Sequence, residues 1–82
     1  MDQIILRFVS EQFKASIGRK AIGLDTPLFS TGIVDSFGVL ELIAFLEETF
    51  AVNIDPAQHD ILEFDTVAKI TALVTRLQST VP

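Results

Sequence analysis

Asp35-Ser36-Phe37-Gly38-Val39-Leu40-Glu41-Leu42-Ile43-Ala44-Phe45-Leu46-Glu47-Glu48-Thr49-Phe50 is the stretch on which the reading of this chain turns. Val39, Ile43, Leu46 and Phe50 stand at offsets 0, 4, 7 and 11, with Leu42 beside them. That spacing predicts one buried stripe on an α-helix running from about Ser36 to Phe50. A second line, Phe37, Leu40, Glu41, Ala44 and Glu48, falls on a different flank and mixes apolar side chains with carboxylates. That flank is a candidate partner surface.

On the N-terminal side, residues 18 to 35 hold Gly18, Gly23, Gly32 and Pro27, which predicts a long connection. Structureless connections longer than about 12 to 15 residues are uncommon in compact domains and are often functional. Leu24, Leu28, Phe29, Ile33 and Val34 are placed to pin this one to the core, so it is expected to be ordered. Before it, Leu6, Val9, Phe13 and Ile17 at offsets 0, 3, 7 and 11 predict a helix from Asp2, as N-cap, to Ile17, with Gly18 as its stop.

On the C-terminal side, Asp55-Pro56 followed by Gln58 has the pattern of an N-cap, a first-turn proline and a capping-box acceptor. It predicts a short helix ending near Leu62. The last helix is expected from Asp65 or Thr66, with Val67, Ile70, Val74 and Leu77 inward, and Pro82 ends the chain. No strand alternation is convincing, since Val52-Asn53-Ile54 is too brief to build a sheet. The predicted fold class is all-α: a small four-helix bundle with three main helices, one short helix and a long ordered loop between the first two.

Eighty-two residues suffice for one domain, spanning 1–82, in which folding buries about 60% of the unfolded surface. The chain is 49% apolar with positive mean hydropathy, which excludes disorder. A formal charge of −5 has the wrong sign for binding nucleic acid through its phosphates, and it also disfavours an anionic membrane surface. The longest apolar run, Leu42 to Leu46, is far short of the roughly 20 residues of a spanning helix. No membrane insertion is expected, the N-terminus carries no signal-peptide pattern, and a cytoplasmic protein is inferred.

Conventional catalysis finds little support. There is no cysteine, and so no disulfide, thiolate metal site or sulfur nucleophile. His59 is the one histidine and lacks the companions of a metal site; it reads as a solvated residue on the short helix. Glu47 and Glu48 read as part of a solvated or docking face. No catalytic residue and no metal ligand is assigned. What remains is Ser36, a hydroxyl at the positive end of a helix dipole, where a phosphate attached to it is favoured. Against that stands the simpler reading that Asp35 or Ser36 only caps the helix.

Asp35-Ser36-Phe37, the run Leu42 to Glu48, Phe50-x-Val52-x-Ile54 and Phe64-x-Thr66-Val67-x-x-Ile70 together resemble the acyl carrier protein superfamily over nearly the whole chain. The resemblance implies that Ser36 carries 4′-phosphopantetheine, transferred covalently from coenzyme A, and that the arm supplies the thiol this chain lacks. An acyl or aminoacyl group is then held as a thioester and presented to other enzymes, the carrier itself being non-catalytic. Ser36 has no neighbouring base, so it is expected to be inert until a phosphopantetheinyl transferase working with Mg²⁺ provides one. The resemblance gives Asp35 a part in receiving that transferase and its metal. It makes Phe37, Leu40, Glu41, Ala44 and Glu48 the docking face of a monomer.

The segment Gly32 to Gly38, with Leu40-Glu41-Leu42 following, is similar to free-standing carriers loaded by an adenylating acyl or aminoacyl ligase, such as D-alanyl carrier proteins and secondary-metabolite carriers. Carriers of fatty acid synthesis usually show Leu and then an acidic residue after the serine, where this chain has Phe37 and Gly38. D-alanyl carriers tend to have Trp ahead of the last helix, where this chain has Phe64. The cargo is accordingly an acyl group, D-alanine or another amino acid, handed to downstream acyl-transferring enzymes. A core filled by Phe8, Phe13, Phe45, Phe50 and Phe64 is expected to favour a short or polar load. Two readings compete: an unmodified helical protein-protein interaction module, and a minimal serine hydrolase in which His59 reaches Ser36.

Overall fold

A computed structural model describes residues 1–18 and 21–79; Arg19 and Lys20 of the connection, and Pro82, lie outside the described residues. Among the described residues four α-helices follow in chain order: α1 (Asp2–Gln12), α2 (Lys14–Ile17), α3 (Ser36–Phe50) and α4 (Val67–Ser79). Two 3₁₀ turns, Pro56–Gln58 and Ile61–Phe64, lie between α3 and α4. The all-α class with three main helices is as the sequence predicts, and no strand occurs among the described residues. Nor is any described helix long and apolar enough to cross a membrane.

The first helix departs from expectation. It is interrupted at Phe13 (φ −109°, ψ 26°), so the predicted single helix becomes α1 and the one-turn α2, with Gly18 at φ 66° as the stop. Asp2 is the first helical residue rather than the cap, and Met1 holds the cap position without a side-chain bond. Ile5, Val9 and Ile17 are buried, whereas Leu6 and Phe13 are only partly so. Losing helical geometry at Phe13 breaks the single stripe into two phases.

The long connection is ordered where it is described. Leu28 is fully buried, Ile33 and Val34 are nearly so, and Leu24 and Phe29 pack against the core. Burying a side chain the size of Leu28 contributes about 1.5–3 kcal/mol relative to leaving it exposed. The backbone is stitched as well. Leu28 N–H donates to the Asp65 carbonyl at 2.6 Å, Phe29 N–H to Asp65 Oδ1 at 3.0 Å, and Val34 N–H to the Leu28 carbonyl at 3.0 Å. Ala68 N–H, in the first turn of α4, donates to the Leu24 carbonyl at 2.9 Å. With Asp65 committed to the loop, Thr66 caps α4, its Oγ1 accepting from Lys69 N–H at 3.1 Å.

The core runs through Leu42, Ile43 and Leu46 of α3 and Val67, Ile70, Leu73 and Val74 of α4, closed by Val52, Ile54 and Phe64. Val39 and Phe50 of the expected α3 stripe are half-buried, as is Leu77 in α4. The expectation of a phenylalanine-filled interior is corrected. Only Phe64 is buried, while Phe8, Phe13, Phe45 and Phe50 pack around the rim of an aliphatic core. Glu47 is not a solvated carboxylate: half-buried, it accepts from Ile54 N–H at 3.0 Å and turns the chain back onto α3.

The predicted short helix is instead the pair of 3₁₀ turns. Asp55 Oδ1 takes the N–H of Ala57, and Gln58 gives its own N–H to the Asp55 carbonyl at 2.9 Å, so the capping box does not form. His59 is extended between the turns rather than lying on a helix, and its side chain is only 14% exposed. Its Nδ1 is 2.8 Å from Glu63 Oε2, its ring meets Phe64 edge-on, and Glu63 Oε1 accepts from Arg76 of α4 at 3.2 Å.

Two expectations follow. Ala51 ends α3 in the left-handed region at φ 55°, where a β-carbon is unfavourable. Ala51→Gly raises stability by about 0.5–1 kcal/mol in urea unfolding. Partial burial pulls the Glu63 carboxyl upward, but the bonds from Arg76 and His59, with their charges, outweigh it and hold its pKa below the ordinary 4.5. A depressed carboxyl contributes stability above its unfolded value and loses it as pH falls through the folded one. Thermal unfolding of wild type should therefore decline more on acidification below about pH 4.5 than that of Glu63→Gln. The difference is modest because the Glu63 side chain is a third exposed.

Candidate functional site

The start of α3 is built by its two neighbours in sequence. Asp35 is extended (φ −102°, ψ −177°), and its Oδ1 accepts from Gly38 N–H at 2.7 Å while its carbonyl accepts from Val39 N–H at 3.0 Å. Asp35 is thus the N-cap, the capping role that the sequence left open between Asp35 and Ser36. This leaves Ser36 at the first helical position, exposed, its hydroxyl in no hydrogen bond with another described residue. The hydroxyl is therefore available for chemistry rather than spent on the fold. Backbone N–H groups of a first helical turn and the aligned peptide dipoles favour negative charge there, so the place suits a phosphodiester on Ser36.

The flank read as a partner surface is largely open. Phe37 is 70% and Leu40 54% exposed, and Ala44 and Glu48 are exposed beside them. Glu41 differs: it is half-buried, and its Oε2 accepts from Gln12 Nε2 at 2.6 Å, which ties α3 to the end of α1. Residues 37, 40, 44 and 48 recur every three or four positions and share one face, whereas Glu41 borders the α1 contact. His59 is bound to Glu63 and makes no hydrogen bond with Ser36 among the described residues, so the hydrolase arrangement is not assembled.

The sequence did not disclose the partner of Gly38. A β-carbon built there would lie 2.8 Å from Phe13 Cε1, 3.3 Å from Phe13 Cζ and 3.2 Å from Asp35 Oδ1. The available signal was a glycine in the first turn of a helix, where it costs about 1 kcal/mol relative to alanine and so suggests a close approach. An outer groove of about 590 Å³ opens along α1, lined by Ile4, Leu6 and Phe8 with polar residues of the same helix and Phe45 of α3.

Comparison with known proteins bears on this geometry. The family described as "Phosphopantetheine attachment site" matches residues 3–74. The D-alanyl carrier protein of Lacticaseibacillus rhamnosus is 40% identical over 55 residues, which cover 67% of this chain and 68% of that protein. The D-alanyl carrier protein of Streptococcus pyogenes serotype M5 is 38% identical over 55 residues, covering 67% and 70%.

The capping role is testable without reference to any ligand. Asp35→Ala should cost about 1 kcal/mol in urea unfolding, whereas Asp35→Asn, an equally good cap, should stay within a few tenths.

Proposed function

The chain belongs to the phosphopantetheine attachment-site family, and on that premise we propose that Ser36 is its attachment residue. It is a carrier protein, and its cofactor is covalently held 4′-phosphopantetheine. The observation that supports Ser36 is the division of labour at the helix start. Asp35 has taken the cap, and the neighbouring hydroxyl is exposed and unengaged. When bound, the arm supplies a terminal thiol on which an acyl or aminoacyl group is carried as a thioester.

Modification requires an outside enzyme. The Ser36 Oγ–P bond forms as the phosphoanhydride bond of coenzyme A breaks, and adenosine bisphosphate departs. No described side chain hydrogen-bonds to the hydroxyl to take its proton, so that proton passes to a base of the phosphopantetheinyl transferase. Asp35 is exposed even while its Oδ1 caps the helix, which leaves it able to meet the transferase and its Mg²⁺. Members of the family are generally non-catalytic, and this chain is read likewise, as a monomeric substrate of other enzymes in the cytoplasm.

Partner enzymes such as transferases and ligases follow from the family. For this chain they are an adenylating ligase and downstream acyl-transferring enzymes that dock on Phe37, Leu40, Ala44 and Glu48, with Glu41 at the margin. Net charge −5 steers encounter with basic surfaces, and a small apolar contact keeps each complex short-lived. The name of the two relatives favours an aminoacyl load, D-alanine or another small amino acid. The groove along α1 lies outside the buried core residues, in keeping with a short load carried on the outside.

Incubation with coenzyme A, Mg²⁺ and a broad-specificity phosphopantetheinyl transferase should add one phosphopantetheinyl group by intact mass, and Ser36→Ala should add none. No gain in wild type sinks the proposal; a gain that persists in Ser36→Ala moves the attachment elsewhere.

A further inference from the structure

The interruption at Phe13 has no proline or glycine to cause it, and sharp departures from helical geometry have identifiable causes. Its hydrogen bonds are not lost: Phe13 N–H donates to the Val9 carbonyl at 3.1 Å, and its own carbonyl accepts from Ile17 N–H at 3.0 Å. What distinguishes Phe13 is where the ring goes. It occupies the space that a side chain at position 38 would fill. Behind it, Phe8 meets the ring edge-on at 6.5 Å and stacks on Phe45 of α3 at 3.9 Å. Gln12, the last residue of α1, closes the arrangement on Glu41. Gly38, Glu41 and Phe45 lie at offsets 0, 3 and 7, one stripe of α3, and all three are held by consecutive turns of α1 or its end.

We infer that Gly38 is a positioning residue for the Ser36 hydroxyl: its missing side chain lets the Phe13 ring and the Asp35 carboxylate close on the first turn of α3 together. Gly38 N–H is the donor that Asp35 caps, so the ring bears on the one residue whose place decides the cap. Ser36 stands between Asp35 and Gly38, and a side chain at 38 must displace either the ring or the Asp35 carboxylate. The ring is braced by Phe8, so the methyl group also crowds the Asp35 carboxylate, and a loosened cap turns the first turn of α3 and with it the hydroxyl. In-line transfer to an oxygen is sensitive to that direction, and misplacement by about 1 Å can cost about 10²-fold in rate. The same pair also excludes an acidic side chain at 38, which would stand against Asp35 Oδ1. Partners therefore meet a first turn whose outward feature is Phe37.

The inference rests on Ser36 being the attachment residue, and the test separates the two. Gly38→Ala should lower kcat of phosphopantetheinyl transfer about tenfold while KM for the carrier stays within about twofold, because the exposed face is untouched. Adding Phe13→Leu to Gly38→Ala opens room for the methyl group and should restore kcat to within about threefold of wild type. Alanine has a higher helix propensity than glycine, which offsets part of the crowding, and far-ultraviolet circular dichroism should show the helices intact. Equal kcat in wild type and Gly38→Ala, or a double variant no faster than Gly38→Ala, overturns the inference. If wild type accepts no phosphopantetheinyl group, it is the Ser36 reading that fails, and amide exchange then decides the coupling. Exchange at residue 38 should be about tenfold faster in Gly38→Ala and recover in the double variant; unchanged exchange overturns it.

Discussion

The described residues of the long connection between α2 and α3 form no helix, and two of the bonds that tie this backbone to the rest of the fold converge on Asp65. That residue accepts from Leu28 through its carbonyl and from Phe29 through its carboxylate. Leu28 is buried at the same place, so the crossing is fixed by apolar burial and two hydrogen bonds together. Buried backbone groups left without partners are costly, which makes this stitch the condition for every later element. Val34 is anchored back onto Leu28, and α3 begins two residues on. The position of Ser36 is thus set from the far end of the chain, by the residues that open α4.

Local electrostatics act on that frame. Asp35 satisfies the Gly38 N–H at close range, which frees the serine beside it from any structural duty. The separation suits the attachment role proposed for Ser36, because a hydroxyl that takes no part in the fold can be modified without disturbing it. The rest of α3 repeats the pattern. Its inner stripe meets α4 and the connection, its Gly38–Glu41–Phe45 stripe meets α1, and Phe37, Leu40, Ala44 and Glu48 are left to solvent. What remains exposed is what the packing did not use.

Much of this was legible in the residues. The bounds of α3 and its exposed flank follow from periodicity, which reports burial directly, and the anchoring role of Leu28 and Val34 follows from apolar residues placed within a long connection. The misses share a cause. The break at Phe13, the replacement of a short helix by two 3₁₀ turns, the rim position of the phenylalanines and the pairing of His59 with Glu63 all depend on contacts between residues distant in sequence or on competition among local hydrogen bonds. Asp55 shows the second case: its carboxylate accepts from Ala57 N–H two residues on and its carbonyl from Gln58 N–H three residues on, the spacing of a 3₁₀ turn. Gly38 shows the first, since a glycine in the first turn of α3 becomes intelligible only when the ring of Phe13 is seen against it.

The sequence by itself determined the all-α class, the length of α3, the serine at its start and the family to which the chain belongs. Those are encoded by local spacing and residue type, which survive without knowledge of the neighbours. Only the tertiary structure decided that Asp35 and not Ser36 caps the helix, that Glu41 leans on Gln12 while Leu40 stays free, and that a side chain at position 38 would meet the ring of Phe13. Each of these is a choice among groups of similar chemistry a few ångströms apart. Such choices are settled by which atoms the packing of α1 against α3 brings within hydrogen-bonding or van der Waals distance.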